Sequence, residues 1–423
     1  MRLKRARFLP IAAASATAAI ILAACSSSGG SSSGTSASPS STKPIVIGAS
    51  VSLTGDFSAD GQAFQRGYNL WASDVNASGG LLGRKVKLIF LDDKSDPTQG
   101  STNVQQLISS DHVDLLFGPF SSLITAPTST VAARYGYAMI EGAGGAPAVF
   151  NTPSNQAKHN VFDVSYPIVD QYDPLTTWIK SLPAAQRPKT AAYPIVDNPF
   201  TIPPEQRAQR QLESVGVKTV YSKVLPAELP NATAVADQVA ATGAQVVLLG
   251  TVDVPTVAAF MKAFQQQHYN PKILAATAGP DQGAAFLKAV GRANATGVMT
   301  ASGWYGGYDN PQSKKMVQEY IAKYGGTPSD INSDVAEGYG VGQVAAQAVK
   351  ATGGTDQAKI ISYLHSGVTL SSVQGPVQFN SLGMNMKPVV FVFQWQDGNY
   401  AQVLPVGAAG SGQILFPKPN WGG

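Results

Sequence analysis

Cysteine is almost absent from this sequence, which has one, Cys25, in 423 residues. The chain beyond that position therefore lacks the thiols that a disulfide, a cysteine nucleophile or a thiolate metal site requires. Histidine is nearly as scarce, because His112, His159, His268 and His365 are the only four and lie far apart. Their spacing matches neither a metal site nor a catalytic triad.

Serine nucleophile motifs are missing from the body of the chain as well. The only G-x-S-x-G pattern runs from Gly30 to Gly34, inside a stretch of serine and glycine where no strand-turn-helix elbow can form. We therefore predict a protein that is not an enzyme, with no catalytic residue, no metal and no cofactor.

An excess of positive charge is also missing once the first residues are set aside. The chain has 30 Lys and Arg against 26 Asp and Glu, and four of the bases are Arg2, Lys4, Arg5 and Arg7. Without these four the numbers of bases and acids are equal. This balance excludes a basic surface and predicts no nucleic-acid partner.

Residues 1–24 have the features of an export signal. A basic start precedes a short, alanine-rich apolar run and small residues, and the run is too short for a confident membrane span. The residues Leu22-Ala23-Ala24-Cys25 resemble a bacterial lipobox, which implies that Cys25 is lipidated. An ordinary signal with a chance cysteine is the alternative. Residues 25–43 would form a flexible Ser/Gly tether, so we expect an extracytoplasmic protein attached to the bacterial cell membrane by its lipid only.

Apolar runs alternate with amphipathic stretches through the rest of the chain. "PIVIGASVSLT" predicts a buried strand, and Phe64, Tyr68 and Trp71 recur at helical spacing in the segment that follows. The alternation begins again after about residue 165, and Asp397-Gly398 predicts the turn of a late hairpin. These features predict an α/β fold with two doubly wound parallel-sheet lobes.

The segment "DVNASGGLLGRKVKLIFLDDKSDPTQG" resembles the type I periplasmic binding proteins, specifically those similar to the leucine/isoleucine/valine-binding protein. The resemblance rests on Asn76, Ala77, Gly79, Gly80, Gly83, Asp92, Asp93, Asp96 and Pro97. Three loops, 48–67, 115–127 and 137–145, also match ligand loops of that family. The resemblance covers about 44 to 405.

This resemblance implies two lobes joined by three hinge crossovers, in a Venus-flytrap arrangement. Lobe one would comprise 44–165 and 302–377, and lobe two would comprise 166–301 and 378–423. A small-molecule ligand would be trapped by hinge closure and delivered to the permease and ATPase subunits of an ABC importer, with the receptor a monomer. A ligand-sensing module that acts through a partner signalling protein is the alternative function.

The resemblance also implies which residues of lobe one contact the ligand. Ser122 matches the family's carboxylate-binding serine, with helix capping as its alternative role. Ala143 and Gly145 match loop positions that bind through the backbone, and the glycine replaces a threonine, which predicts a roomier pocket. Phe57 and Asp60 match ligand-lining positions, although core packing and a solvated loop are their alternatives.

In lobe two, Phe200 matches an aromatic ring that covers the ligand. Either Val252 or Asp253 would occupy a second position, with capping of the next helix as the alternative for Asp253. Trp304, Tyr305 and Tyr308 would either form an aromatic wall or pack between the lobes.

Two family features are replaced in this sequence. Positions 95 and 121, which often form a disulfide in amino-acid-binding relatives, are serines. The glutamate that pairs with a ligand ammonium aligns with Ala278, so either Asp281, Asp253 or Glu141 replaces it, or the ligand has no ammonium. We favour the second option, which predicts a small carboxylate, an amide or an aromatic acid rather than a standard α-amino acid.

Overall fold

A computed structural model describes residues 43–407 and 411–422. The predicted signal peptide, Cys25 and the predicted tether up to residue 42 lie outside these residues. The described chain forms two lobes, each built around its own β-sheet.

The sheet of lobe one has five parallel strands in the order β2-β1-β3-β4-β5. Its strands are β1 (Ile45–Val51), β2 (Val86–Asp92), β3 (Leu115–Phe117), β4 (Met139–Glu141) and β5 (Val161–Asp163). A separate antiparallel pair, β11 (Leu370–Ser372) and β12 (Gly375–Val377), packs in the same lobe.

The sheet of lobe two has seven strands in the order β14-β13-β10-β9-β8-β6-β7. Its parallel strands are β6 (Thr190–Val196), β7 (Lys218–Leu225), β8 (Val246–Leu249), β9 (Ile273–Ala276) and β10 (Val298–Ser302). The strands β13 (Phe391–Gln396) and β14 (Asn399–Leu404) form an antiparallel hairpin. Its turn is the predicted one, because Asp397 and Gly398 both have positive φ, at 48° and 76°.

Helices cover both sheets and confirm the predicted α/β class. In lobe one they are α1 (Ser58–Ala77), α2 (Pro97–Ser109), α3 (Ser122–Arg134), α4 (Pro147–Phe150), α5 (Pro153–Lys158), and later in the chain α12 (Pro311–Tyr324), α13 (Ser333–Thr352) and α14 (Gln357–Leu364). In lobe two they are α6 (Asp173–Ser181), α7 (Ile202–Glu213), α8 (Ala232–Ala241), α9 (Val254–Gln266), α10 (Ala284–Val290) and α11 (Arg292–Ala295). No helix of the described segments is long and apolar enough to cross a bilayer.

The apolar residues segregate into separate cores. One core combines residues 45–164 with residues 304–379, so two distant parts of the chain build lobe one. Two further cores lie in lobe two and contain residues from 172–301 together with residues of the final hairpin. The lobe boundaries given above stay a prediction.

Helices α1 and α13 pack unusually closely, and this contact matters for the site. A Cβ atom at Gly67 of α1 would lie 2.2 Å from the carbonyl oxygen of Val335, and one at Gly342 of α13 would lie 2.2 Å from the Trp71 ring. The glycines therefore allow the two backbones to approach. As a result the first turns of both helices lie side by side, next to the other lobe.

Candidate functional site

The site is a cavity between the lobes, which we call the inter-lobe cavity. Its lining follows the carboxyl ends of strands in both sheets, the usual ligand position in open α/β sheets. The accessible volume of this cavity is about 90 Å³. That is room for several water molecules or one small ligand.

Lobe one lines the cavity with carboxylates. Asp60 lies in the first turn of α1, and Asp334 and Glu337 lie in the first two turns of α13. The helix N-termini stabilise Asp60 and Asp334, since the positive end of a helix dipole favours negative charge. All three side chains are at least nine-tenths buried.

Lobe two adds one more carboxylate to the lining, Asp281, in the loop after β9. Asp281 accepts a hydrogen bond from the backbone N–H of Gly279 at 2.7 Å. The neighbouring Gln282 donates from its side-chain amide to the carboxylate of Asp60, which joins the two lobes directly. Of the described residues that line the cavity, none is Lys, Arg or His.

Burial and mutual repulsion raise the pKa values of these acids. Burial, followed by the charge of Asp60, raises the pKa of Asp281 to about 7. Burial raises the pKa of Asp334 and Glu337 well above the usual range, and Asp163 behind the lining has a pKa of about 7 for the same reason. The ligand-free cavity therefore keeps some of its carboxyl groups protonated near neutral pH.

Two buried polar groups of the lining have no partner within the described residues. The side-chain carbonyl Oε1 of Gln171 is one, because its Nε2 donates to the backbone oxygen of Thr277 at 2.7 Å and this bond fixes the amide orientation. The hydroxyl of Ser121 is the other, on a residue held at φ 74°. Unsatisfied groups and strained backbone of this kind are typical of ligand sites.

Glu141 turns away from the cavity and supports the loop that follows β4. One of its carboxylate oxygens accepts from the N–H of Ala143 at 2.9 Å and from the N–H of Gly144. Burial, then the charge of Asp163, raises its pKa well above the usual range. Since Glu141 is absent from the cavity lining, it does not replace the family's glutamate, which removes one of the three alternatives.

Seven of the residues expected at the ligand do line the cavity. They are Phe57, Asp60, Ala143, Gly145, Phe200, Val252 and Asp281. Their contact with a ligand stays a prediction. The extra room expected at Gly145 is absent, because a Cβ there would lie 2.6 Å from the Tyr166 oxygen and 2.9 Å from Asp163.

Two expected residues lie outside the lining. Ser122 is fully buried, and its hydroxyl contacts the backbone of Ala143 and Ala146 at 3.5 and 3.3 Å, so it ties the loop to α3. Its neighbour Ser121 faces the cavity instead. Asp253 caps α9 by accepting from the N–H of Thr256 at 2.6 Å, which is the alternative role.

The aromatic residues near residue 305 pack inside the protein. The Trp304 ring is buried in the core of lobe one and donates to the hydroxyl of Ser313. The rings of Tyr305 and Tyr308 lie against Phe391, at centroid distances of 5.3 and 5.4 Å. Packing between chain segments, rather than a wall on the ligand, is therefore their role.

The sequence reasoning missed several lining residues. Asp334 and Glu337 are the most important of these, and Gln171, Tyr166 and Gln282 also belong to the group. One signal was present, because two acids spaced three apart in "SDVAEGYG" interrupt a helix that is otherwise small and apolar. Within 43–407 and 411–422, no three His, Cys, Asp or Glu side chains are placed to hold a metal ion.

Comparison with known proteins places these features in a family. Leu/Ile/Val-binding protein homolog 2 from Brucella abortus is 34% identical over 101 residues, which are 24% of this chain and 27% of that protein. The matched stretch thus spans about a quarter of that relative. An amino acid binding protein from Pseudomonas aeruginosa is 25% identical over 378 residues, covering 85% of this chain and 92% of that protein.

Solved structures show the same fold. A leucine binding protein from Thermotoga maritima aligns with a TM-score of 0.74 at 18% identity, over 85% of this chain and 97% of that one. The profile of the periplasmic binding proteins matches residues 44–399. Together with the two lobes and the cavity between them, this match shows that the chain belongs to the periplasmic binding protein family, as a type I member similar to the leucine/isoleucine/valine-binding proteins.

Proposed function

We propose that this chain is the extracytoplasmic receptor of an ABC importer, which traps a small solute between its lobes and delivers it to the permease. The observation that carries the proposal is the inter-lobe cavity, because both lobes contribute polar side chains to it. A ligand bound there would be enclosed when the lobes close about their hinges. The amino-acid and leucine binding named for its relatives supports a solute of similar size.

The contact between Asp60 and Gln282 supports hinge closure as part of this function. It is a direct side-chain bond from one wall of the cavity to the other. A hydrogen bond of this type is weak enough to open and close on ligand exchange.

Anchoring by a lipid on Cys25 is the second part of the proposal. It rests on the basic, apolar and small-residue order of residues 1–24 and on the lipobox-like residues 22–25. A tethered receptor stays close to a permease in the same membrane. Replacing Cys25→Ala should move the protein from the membrane fraction to the soluble fraction, whereas Ser26→Ala should leave it with the membrane.

The solute classes considered from the sequence were carboxylates, amides and amino-acid-like compounds. The four carboxyl groups of the lining make a ligand with a protonated amine the best match and an ammonium-free carboxylate the poorest. These acids support a ligand with an ammonium group over the carboxylate expected from the sequence, since any of them could take the place of the missing glutamate.

The proposed function is tested by thermal denaturation of the full chain against a broad library of small solutes. A ligand that binds only the closed native state stabilises it by about 2.7 kcal/mol at a hundredfold excess over its Kd. We expect at least one small solute to raise the melting temperature and to bind once per chain. A library without a single binder would contradict a receptor role.

A further inference from the structure

The acids of the inter-lobe cavity are more numerous than recognition of an amino acid requires. A ligand ammonium needs one carboxylate partner, and this lining provides Asp60, Asp281, Asp334 and Glu337. The first three also repel one another, since the charge of Asp60 acts on both Asp281 and Asp334. The ligand-free protein relieves this repulsion by holding protons on some of these acids, and a positively charged occupant would take the place of those protons.

Two donors of the loop after β4 are already engaged. The N–H groups of Ala143 and Gly144 both donate to Glu141, and Ala143 is one of the two positions that the family resemblance assigns to backbone binding of the ligand. An internal carboxyl group therefore holds two of the donors of this loop. A ligand carboxylate in the cavity would lie near Glu141 and Glu337, with no basic side chain among the described lining residues to pair with it.

The unpartnered side-chain carbonyl of Gln171 indicates the same ligand chemistry. Oε1 is an acceptor only, and its amide orientation is fixed by the bond from Nε2 to the Thr277 oxygen. The residue is 1% exposed, so a partner for Oε1 has to lie in the inter-lobe cavity that the residue lines. A ligand that completes this site must bring an N–H or O–H donor.

We propose that the inter-lobe cavity binds a small organic cation that carries two or more amino or amidino groups and no free carboxylate. The acids Asp60, Asp281, Asp334 and Glu337 neutralise its charge, and Gln171 and Ser121 accept its remaining N–H bonds. This proposal rests on the receptor function above and names its solute class.

Four carboxyl groups can pair with more than one positive charge once they ionise, which is why we place at least two on the ligand. Burial keeps a part of these groups protonated without ligand, as described for Asp281 and Glu337. A dication entering the cavity favours their ionised form, so protons leave the protein as it binds. Net proton release is therefore a second signature of the proposed ligand class.

The test uses four compounds with the same four-carbon chain and different charges. They are 1,4-diaminobutane, 1-aminobutane, 4-aminobutanoate and butanedioate, titrated into the full chain by calorimetry, with leucine and 4-hydroxybenzoate as further solutes. We expect 1,4-diaminobutane to bind most tightly, followed by 1-aminobutane, 4-aminobutanoate and butanedioate. The diamine should bind at least about a hundredfold more tightly than 4-aminobutanoate, which corresponds to the loss of two charge-assisted hydrogen bonds. Titration of the diamine near pH 7 in two buffers of different ionisation enthalpy should show proton release.

Variants of the chain tie the effect to the cavity. Glu337→Gln should weaken diamine binding by about tenfold or more, because it removes one charged partner and keeps the shape of the side chain. The control is Asp309→Asn, an exposed acid paired with Lys314 on the surface, which should bind within about twofold of the unchanged chain. If Glu337→Gln fails to fold, Asp281→Asn provides the same comparison from lobe two.

The outcomes separate this proposal from the receptor function. If leucine, 4-hydroxybenzoate or 4-aminobutanoate binds more tightly than the diamine, the receptor function stands and the cationic ligand is wrong. The same conclusion follows if Glu337→Gln and Asp281→Asn both bind the diamine as the unchanged chain does. If none of the six compounds binds, the cationic ligand is wrong, and the broad library then decides the receptor function.

Discussion

The two walls of the inter-lobe cavity differ in charge and in rigidity. Lobe one presents Asp60, Asp334 and Glu337 from the first turns of two helices that are packed against each other through glycine. Lobe two presents one acid, Asp281, from a loop, and otherwise lines the cavity with neutral groups such as Phe200 and Val252. In the proposed receptor, charge recognition therefore lies on the wall of lobe one, and the wall of lobe two covers the ligand.

This difference indicates an order of events in ligand capture. In the receptor that we propose, a solute would meet the acids of lobe one first, since side chains held on packed helices need little reorganisation to bind. Lobe two would then close over the bound solute and bring Asp281 and Phe200 to it. The variants below test this division, beginning with the one expected to have the largest effect.

The double variant Asp334→Asn with Glu337→Gln should abolish most of the binding energy that comes from lobe one. Each charge-assisted hydrogen bond contributes about 1.5–3 kcal/mol, so the loss for 1,4-diaminobutane should be at least about a hundredfold. Calorimetric titration measures it, with circular dichroism to check the fold. A loss no larger than that of Asp281→Asn alone would contradict the assignment of charge recognition to lobe one.

Asp281→Asn should weaken binding by about tenfold and should also change how stability depends on pH. Burial raises the pKa of this group from 3.8 to about 7, so its favourable contribution is present below about pH 4 and is lost progressively as the pH rises to about 7. Asparagine does not ionise, so the variant does not lose stability in this way. The ligand-free variant should therefore melt at a higher temperature than the unchanged chain at about pH 8, and the difference should be much smaller at about pH 5.

Thermal denaturation at both pH values checks this second effect. A variant that melts lower than the unchanged chain at the higher pH would contradict the repulsion between Asp60 and Asp281.

Phe200→Ala should have the smallest effect on binding, about threefold to tenfold, because the ring covers the ligand by apolar contact alone. The ring is only half-buried, so the melting temperature of the ligand-free protein should change little. The dissociation rate, measured by stopped-flow fluorescence, should rise more than the association rate falls. Equal changes in both rates would indicate that Phe200 contacts the solute before closure.

Local patterns in the sequence predicted most of the architecture. The spacing of Phe64, Tyr68 and Trp71 predicted α1, because an amphipathic helix has one buried face whatever it packs against. The Asp397-Gly398 turn predicted the late hairpin, since few residue pairs adopt two positive φ angles. The alternation of strands and helices predicted the parallel strands of both sheets, and the sheet of lobe two also contains the antiparallel strands β13 and β14.

The site was predicted less completely, and the two serines show why. Ser121 and Ser122 are adjacent at the start of α3, and one residue of register decides which hydroxyl faces the cavity and which ties down the loop. Asp253 has a similar ambiguity, since a side chain that caps a helix and one that binds a ligand have the same sequence context. Periodicity and spacing do not resolve a single residue at a helix end.

The sequence by itself determined the lack of thiols beyond Cys25 and the two-lobe α/β organisation, because composition and hydrophobic period are local properties. The loops that line the cavity were indicated by the resemblance to a known family. Only the tertiary structure decided that Asp60, Asp281, Asp334 and Glu337 share one buried space and that Glu141 is turned away from it. These acids belong to segments far apart in the chain. They interact only when folding brings them together, and the positive charge of the solute that we propose is inferred from this interaction.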